Sequence, residues 1–170
     1  MKVLVTYASK YGSTAEIAKV IGQELHKREY EVEVKPVEQV GSLADYDGFV
    51  IGSALYAGSW LKSAADFLRS NLDLLAAHPV WLFSSGPTGA GDPNEILDGW
   101  IFPWDLTPVL EIIKPQEVIL FHGNIDLEKL SFGEKMIIKS VKATVGDYRD
   151  WLVIRTWASM IHIQDASKLY

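Results

Sequence analysis

Residues 9–14 read Ser-Lys-Tyr-Gly-Ser-Thr, three hydroxyls, one ammonium and one glycine in a single short stretch. Where such a stretch opens a helix it suits an anion, because the first backbone N–H groups of a helix lack intrahelical acceptors and the helix dipole favours negative charge. Ser9, Ser13 and Thr14 add hydroxyl donors, Gly12 lets the backbone come close to a ligand, and Lys10 contributes one positive charge. The sequence has no G-x-x-x-x-G-K-[ST] and no G-x-G-x-x-G, so neither a nucleoside triphosphate nor a dinucleotide pyrophosphate is indicated. A single monoester phosphate is the expectation. The same residues admit a plainer reading, since Ser13, Thr14, Ala15 and Glu16 match a capping box.

Two further stretches could flank the rest of such a ligand. "SALYAGSW" (53–60) is small-residue-rich with Tyr56 and Trp60, and "SSGPTGAGD" (84–92) is long and rich in glycine. A planar group could lie between them, with Tyr56 or Trp60 against its face and glycine amides at its polar edge. The alternatives are that both aromatics cover the core beneath a loop and that 84–92 is a flexible connection.

The elements that must position these residues follow from periodicity. Apolar runs at 2–8, 31–37, 48–53, 80–85 and 117–123 each suit a strand. Four of them are nearly continuous, which marks strands buried on both faces of a parallel sheet. The run at 31–37 alternates Val32 and Val34 with charged neighbours, which places it at a sheet edge. Helical spacing appears at 14–28 (Ile17, Val20 or Ile21, Leu25), 61–76 (Leu61, Ala65, Leu68, Leu72), 106–114 and about 150–164 (Trp151, Ile154, Ala158, Ile161). Strand and helix in alternation predict an α/β doubly wound sandwich, in which ligands bind outside the carboxyl ends of the strands. All three candidate turns would emerge there.

At these residues the chain resembles a known family. "VTYASKYGSTAEIAKVI" (5–21) is similar to the FMN-phosphate signature of flavodoxins, with an aromatic, then Ser9, Gly12, Thr14, Ala18 and Ile21 at the family's spacing, and with Thr6 where that pattern usually has an apolar residue. "IGSALYAGSWLKSAADFL" (51–68) and "GDYRDW" (146–151), followed by "IRTWASMI", resemble a subgroup of flavodoxin-domain proteins that includes menaquinone-dependent protoporphyrinogen IX dehydrogenase. The resemblance implies a flavodoxin-like three-layer sandwich with a five-stranded parallel sheet of order 2-1-3-4-5, one FMN-binding domain over residues 1–170, and FMN at the carboxyl edge. By position, Ser9, Lys10, Tyr11, Gly12, Ser13 and Thr14 would hold the phosphate. Ser53, Ala54, Leu55, Tyr56, Ala57, Gly58 and Trp60, with Ser84, Ser85, Gly86, Pro87, Thr88, Gly89 and Gly91, would flank the isoalloxazine. The chemistry would belong to the flavin, tuned by hydrogen bonds and local charge; no residue reads as an acid–base catalyst.

Composition bounds the function classes. A formal net charge of −6 argues against sequence-independent nucleic-acid binding. With no cysteine there is no thiolate or iron–sulfur chemistry, and His26, His78, His122 and His162 are too scattered to suggest a metal site. The amino terminus lacks the apolar length of a signal peptide, and no window approaches a spanning helix, so a cytoplasmic protein is the expectation. Within this acidic chain, residues 130–149 carry a basic stripe: on a helix, Lys135, Lys139 and Lys142 would align beside Met136, Ile137, Ile138 and Val141. Such a stripe could rest on an anionic membrane surface or simply be the solvated face of a helix packed on the sheet. The functional expectation is an FMN oxidoreductase passing electrons from a small hydrophobic substrate, protoporphyrinogen IX by resemblance, to a quinone. The alternative is a one-electron carrier whose negative charge suits basic redox partner proteins, with Trp100 and Trp104 in the partner or substrate surface under either scheme. A flavodoxin-like interaction domain without flavin is the third possibility.

Overall fold

The computed structural model describes residues 1–164; residues 165–170, which the one-domain expectation includes, lie outside the described residues. In chain order the elements are β1 (Lys2–Ala8), α1 (Ser13–His26), β2 (Glu31–Pro36), β3 (Gly48–Tyr56), β4 (Ser59–Trp60), α2 (Lys62–Ser70), α3 (Leu72–Ala76), β5 (Val80–Ser85), α4 (Pro93–Ile96), α5 (Thr107–Ile113), β6 (Glu117–Phe121), β7 (Asn124–Ile125), α6 (Phe132–Ser140), β8 (Gly146–Asp147) and α7 (Trp151–Met160). Five strands run parallel in the order β2-β1-β3-β5-β6, the predicted 2-1-3-4-5 arrangement. The short β4 folds back antiparallel on β3, and β7 pairs antiparallel with β8 in a separate two-stranded sheet.

The burial pattern explains the sheet. β1, β3 and β5 are buried along nearly their whole length, whereas β2, at the edge, has exposed and half-buried positions and no buried one. On one face Ile17, Ile21 and Leu25 of α1 and Ile154, Trp157 and Ala158 of α7 pack on Val3, Val5, Val50 and Phe83. On the other, Ala65 and Leu68 of α2, Leu75 of α3 and Val109 and Ile113 of α5 cover Leu4, Phe49, Ile51 and Leu82. Successive strand residues point to opposite faces, so each strand contributes to both layers, and the continuous apolar runs are the necessary result.

Two predicted helices are shorter than their periodicity. The 61–76 pattern breaks at Asn71, whose side-chain amide donates to the Phe67 carbonyl at 2.7 Å while its backbone N–H turns to Leu68. A side chain competing for a helical carbonyl ends the run. The helix within 130–149 covers only Phe132–Ser140. It stops in a paired arrangement in which Lys142 N–H reaches Lys139 O and Ala143 N–H reaches Ile138 O, with Lys142 at φ 53°. Lys135 and Lys139 therefore lie on α6 and Lys142 lies beyond it, which corrects the three-lysine helical stripe. Nor does α6 pack on the sheet, since none of its residues is buried.

Thr6 sits at the centre of β1 on the same face as Leu4 and Ala8, fully buried, and its hydroxyl has no hydrogen-bond partner. An unsatisfied buried hydroxyl costs on the order of 1–3 kcal/mol. Thr6→Val keeps the shape and removes the hydroxyl, so unfolding free energy is expected to rise by about 1 kcal/mol; calorimetry checks this as a rise in Tm of roughly 2–4 °C. A lower Tm would mean that the hydroxyl is satisfied in solution.

No helix among the described residues is long and apolar enough to cross a membrane. Among them no three His, Asp or Glu side chains are grouped to hold a metal ion.

Candidate functional site: the turn between β1 and α1

β1 ends at Ala8, deep in the sheet, and the chain reverses through Ser9–Gly12 into α1. Gly12 is the cap residue at φ 92°, a left-handed conformation that glycine adopts without steric cost. A Cβ added there would meet nothing within 4 Å, so the approach to the turn is open. Its N–H donates to Ser9 Oγ at 3.0 Å. The first intrahelical bond runs from Glu16 N–H to Gly12 O, which leaves the amides of Ser13, Thr14 and Ala15 without helical acceptors.

The capping-box alternative fails here. No side chain caps α1, and Glu16 instead pairs with Arg149 at 2.7 Å. Thr14 is fully buried, and its hydroxyl lacks a partner among the described residues. A buried orphan hydroxyl beside free helix amides and an open glycine forms a donor set with no internal acceptor, and it fits one monoester phosphate.

Charges ring this turn. Lys10 Nζ reaches Glu134 at 2.6 Å and Tyr11 donates to the other oxygen of the same carboxylate at 2.5 Å. Glu134 also closes a capping box with Ser131 at the start of α6. Lys10, the Ser131 hydroxyl and Tyr11 together hold the Glu134 carboxyl far below the usual range. The Lys10 ammonium is correspondingly raised, first by Glu134. On the other side of the turn Arg149, with a side chain 5% exposed, donates to Ser13 O at 3.1 Å, pairs with Glu16 and Asp147, and lies over the Trp151 ring.

The second predicted stretch is only partly a loop. β3 continues to Tyr56, and Ala57 and Gly58 at φ 47° and 81° make a two-residue hairpin turn into β4. That geometry turns Tyr56 toward the phosphate turn. Tyr56 lines a cavity of about 70 Å³ with Tyr11, Ser13 and Glu16, closed on the far side by Asn124, Ile125, Asp126, Lys129, Leu130 and Ile138. Burial raises the Tyr56 phenol above its ordinary pKa. The cavity is smaller than the roughly 300–1,000 Å³ of ligand clefts, and of residues 9–14 Tyr11 and Ser13 line it.

Trp60 does not face this site. It is 5% exposed, packs edge-on to Phe102 at 4.8 Å, and donates its indole N–H to Ser84 Oγ at 2.9 Å. Core burial therefore uses the ring, and the same bond uses the Ser84 hydroxyl. Ser53 Oγ is likewise committed, accepting from Leu61 N–H and donating to Ala54 O. Leu55 is half-buried against the lower core layer. Ser85 is buried at the end of β5.

The 84–91 stretch is pinned rather than flexible. Gly86 N–H donates to Phe121 O and Gly123 N–H to Pro87 O. The ring nitrogens of His122 face the carbonyls of Pro87 and Gly91 at 3.1 and 2.9 Å. Thr88 and Gly89 are half-buried in the same stretch. None of its residues lines the cavity, where the segment after β6 stands instead. Of the two predicted aromatics near the partner surface, Trp104 is 78% exposed, whereas Trp100 packs over Gly58 with its indole N–H buried and unpaired. The residues that sequence reasoning missed are Glu134 and Arg149. Ser131-Phe-Gly-Glu134 carries a legible capping-box signature; Arg149 has no comparable local signal.

The fold agrees with that of known proteins. Rubredoxin oxygen:oxidoreductase from the anaerobe Desulfovibrio gigas superposes with TM-score 0.58 at 16% identity over 94% of this chain, which spans 35% of that enzyme's length. Oxidised flavodoxin 1 from Bacillus cereus gives 0.54 at 20% identity over 84% of this chain and 98% of that one. Flavodoxin 2 from Bacillus cereus gives 0.52 at 25% identity over 84% and 99%. No curated protein matches the sequence. The flavodoxin-domain model matches residues 4–151, from β1 through the phosphate turn to the start of α7, and by that match the chain belongs to the flavodoxin-domain family.

Proposed function

We propose that this protein is an FMN-dependent electron-transfer protein whose cofactor phosphate is held by Ser9, Lys10, Gly12, Ser13 and Thr14. FMN is the cofactor of the flavodoxin domain, and the flavin supplies the redox chemistry when bound. The observation that carries the phosphate assignment is the Thr14 hydroxyl, buried without a partner beside the unbonded amides of α1. Tyr56, and the backbone of Ala57 and Gly58, stand at the same edge to meet the ring, while the 84–91 stretch bounds it from the β5 side. The net charge of −6 favours encounter with basic redox partners.

Titration followed by quenching of flavin fluorescence tests this directly. Several charge-assisted hydrogen bonds, each worth roughly 1.5–3 kcal/mol, should make FMN bind at least about 100-fold more tightly than riboflavin. Equal affinities would remove the phosphate site.

A second reading, carried by resemblance, is a quinone-linked oxidoreductase acting on a small hydrophobic substrate such as protoporphyrinogen IX. One observation favours it: α6 exposes Phe132, Met136 and Ile137, with Lys135 and Lys139 on the same helix. An exposed apolar face with flanking lysines suits an anionic bilayer surface. Quinone reduction by the FMN-loaded protein, with sedimentation on anionic vesicles, supports this reading; salt-dependent transfer to a basic protein with neither property supports the carrier.

A further inference from the structure

Among the described residues, α6 reaches the phosphate turn through one carboxylate. Glu134 accepts from Lys10 at 2.6 Å and from Tyr11 at 2.5 Å, and its second role is to cap its own helix through Ser131. No α6 residue is buried, and Ile138 is its only member on the cavity wall. The helix is thus held less by apolar burial than by an ion pair to a residue of the phosphate site. Glu134 is the capping residue that nature places in many helices, but its reach across to Lys10 is not required by capping.

We infer that Glu134 is an internal competitor for the donors of the phosphate turn, so that FMN binding and the docking of α6 oppose each other. A phosphate dianion at Ser9–Thr14 draws the Lys10 ammonium toward itself and repels the carboxylate that shares it. Loosening of α6 by FMN and weakening of FMN by docked α6 are the same free energy seen from two sites, so the factors must be equal. Lys10 and Glu134 are 49% and 21% exposed at the side chain, so solvent screening keeps the coupling modest. The same circuit connects the cofactor to a surface: the helix released is the one that carries Phe132, Met136 and Ile137 outward. The inference rests on the assignment of residues 9–14 to the phosphate.

Glu134→Gln keeps the size of the side chain and one acceptor oxygen and removes its charge. FMN should then bind about two- to fivefold more tightly, the upper part of the range expected for one partly exposed charge pair, while riboflavin binding should stay unchanged. Ser131→Ala serves as the control, since it loosens the cap but leaves the carboxylate facing Lys10; its FMN affinity should rise by less than that of Glu134→Gln. Hydrogen exchange in the parent protein gives a second readout. Amides of α6 should exchange faster when the protein is saturated with FMN and no faster with riboflavin. Unaltered or weaker FMN binding by Glu134→Gln, equal tightening by Ser131→Ala, or α6 exchange indifferent to FMN would each overturn the competition. If the parent binds FMN and riboflavin equally, it is the phosphate assignment that fails; if FMN is strongly preferred but Glu134→Gln leaves that preference unaltered, only the competition fails.

Discussion

Thr14→Val is expected to weaken FMN binding by about 10- to 100-fold, to leave riboflavin binding unchanged, and to make the protein more stable. The three effects share one cause. Thr14 is fully buried and its hydroxyl has no partner among the described residues, so the folded chain bears a desolvation cost on the order of 1–3 kcal/mol. Valine has the same shape and removes that cost, which predicts a gain of about 1 kcal/mol, read by calorimetry as roughly 2–4 °C in Tm. On the proposed assignment a phosphate oxygen would complete the hydroxyl. A hydrogen bond to a charged acceptor contributes roughly 1.5–3 kcal/mol, which is the affinity lost with valine. Parallel titrations with FMN and riboflavin separate this from a general distortion of the turn. Loss of both ligands together would place the defect in the fold of α1, and no loss of FMN would remove Thr14 from the site.

Gly52→Ala should destabilise the protein by about 3 kcal/mol, the upper part of the range for overpacking a core. Gly52 lies in the middle of β3, opposite Tyr7 of β1 and Phe83 of β5. A Cβ there would stand 2.1 Å from Phe83 Cζ and 2.3 Å from both Cε atoms. The ring cannot retreat, because Phe121 and Trp157 pack on it with centroids at 6.0 and 6.4 Å. Thermal unfolding should show a Tm lower by roughly 6–12 °C. Phe83→Leu combined with Gly52→Ala should cost less than the sum of the two single changes, since residues in contact do not add. An additive double mutant would show that the clash is relieved by backbone movement instead.

The parallel sheet and the open turn at the start of α1 were legible because each has a local signature. Short continuous apolar runs bounded by turn residues suit strands buried on both faces, and Val32 and Val34 between charged neighbours mark β2 as an edge. Ser9, Gly12, Ser13 and Thr14 sit within one turn, where spacing alone sets which amides and hydroxyls converge. Trp60 was the misleading residue. An aromatic beside a core and an aromatic beside a ligand look alike in sequence, and the Ala57–Gly58 turn decides between them by folding Trp60 back against Phe102 and Ser84 while leaving Tyr56 at the edge.

The rest of the site depends on long-range return of the chain. Lys10 meets Glu134 across 124 positions, and Ser13 O meets Arg149 across 136. The helical period of α6 states which of its residues share a face, but not that the face bearing Glu134 turns to the β1–α1 turn, nor that Lys142 leaves the helix. Amino-acid order by itself determined the five parallel strands, the helices α1 and α7 and the free amides of the turn that opens α1, because those follow from periodicity and from backbone groups left unbonded at a helix start. Tertiary structure alone decided which charges surround that turn, because attraction between distant residues leaves no periodic trace until the sheet has brought its carboxyl edge and the segment after β6 together.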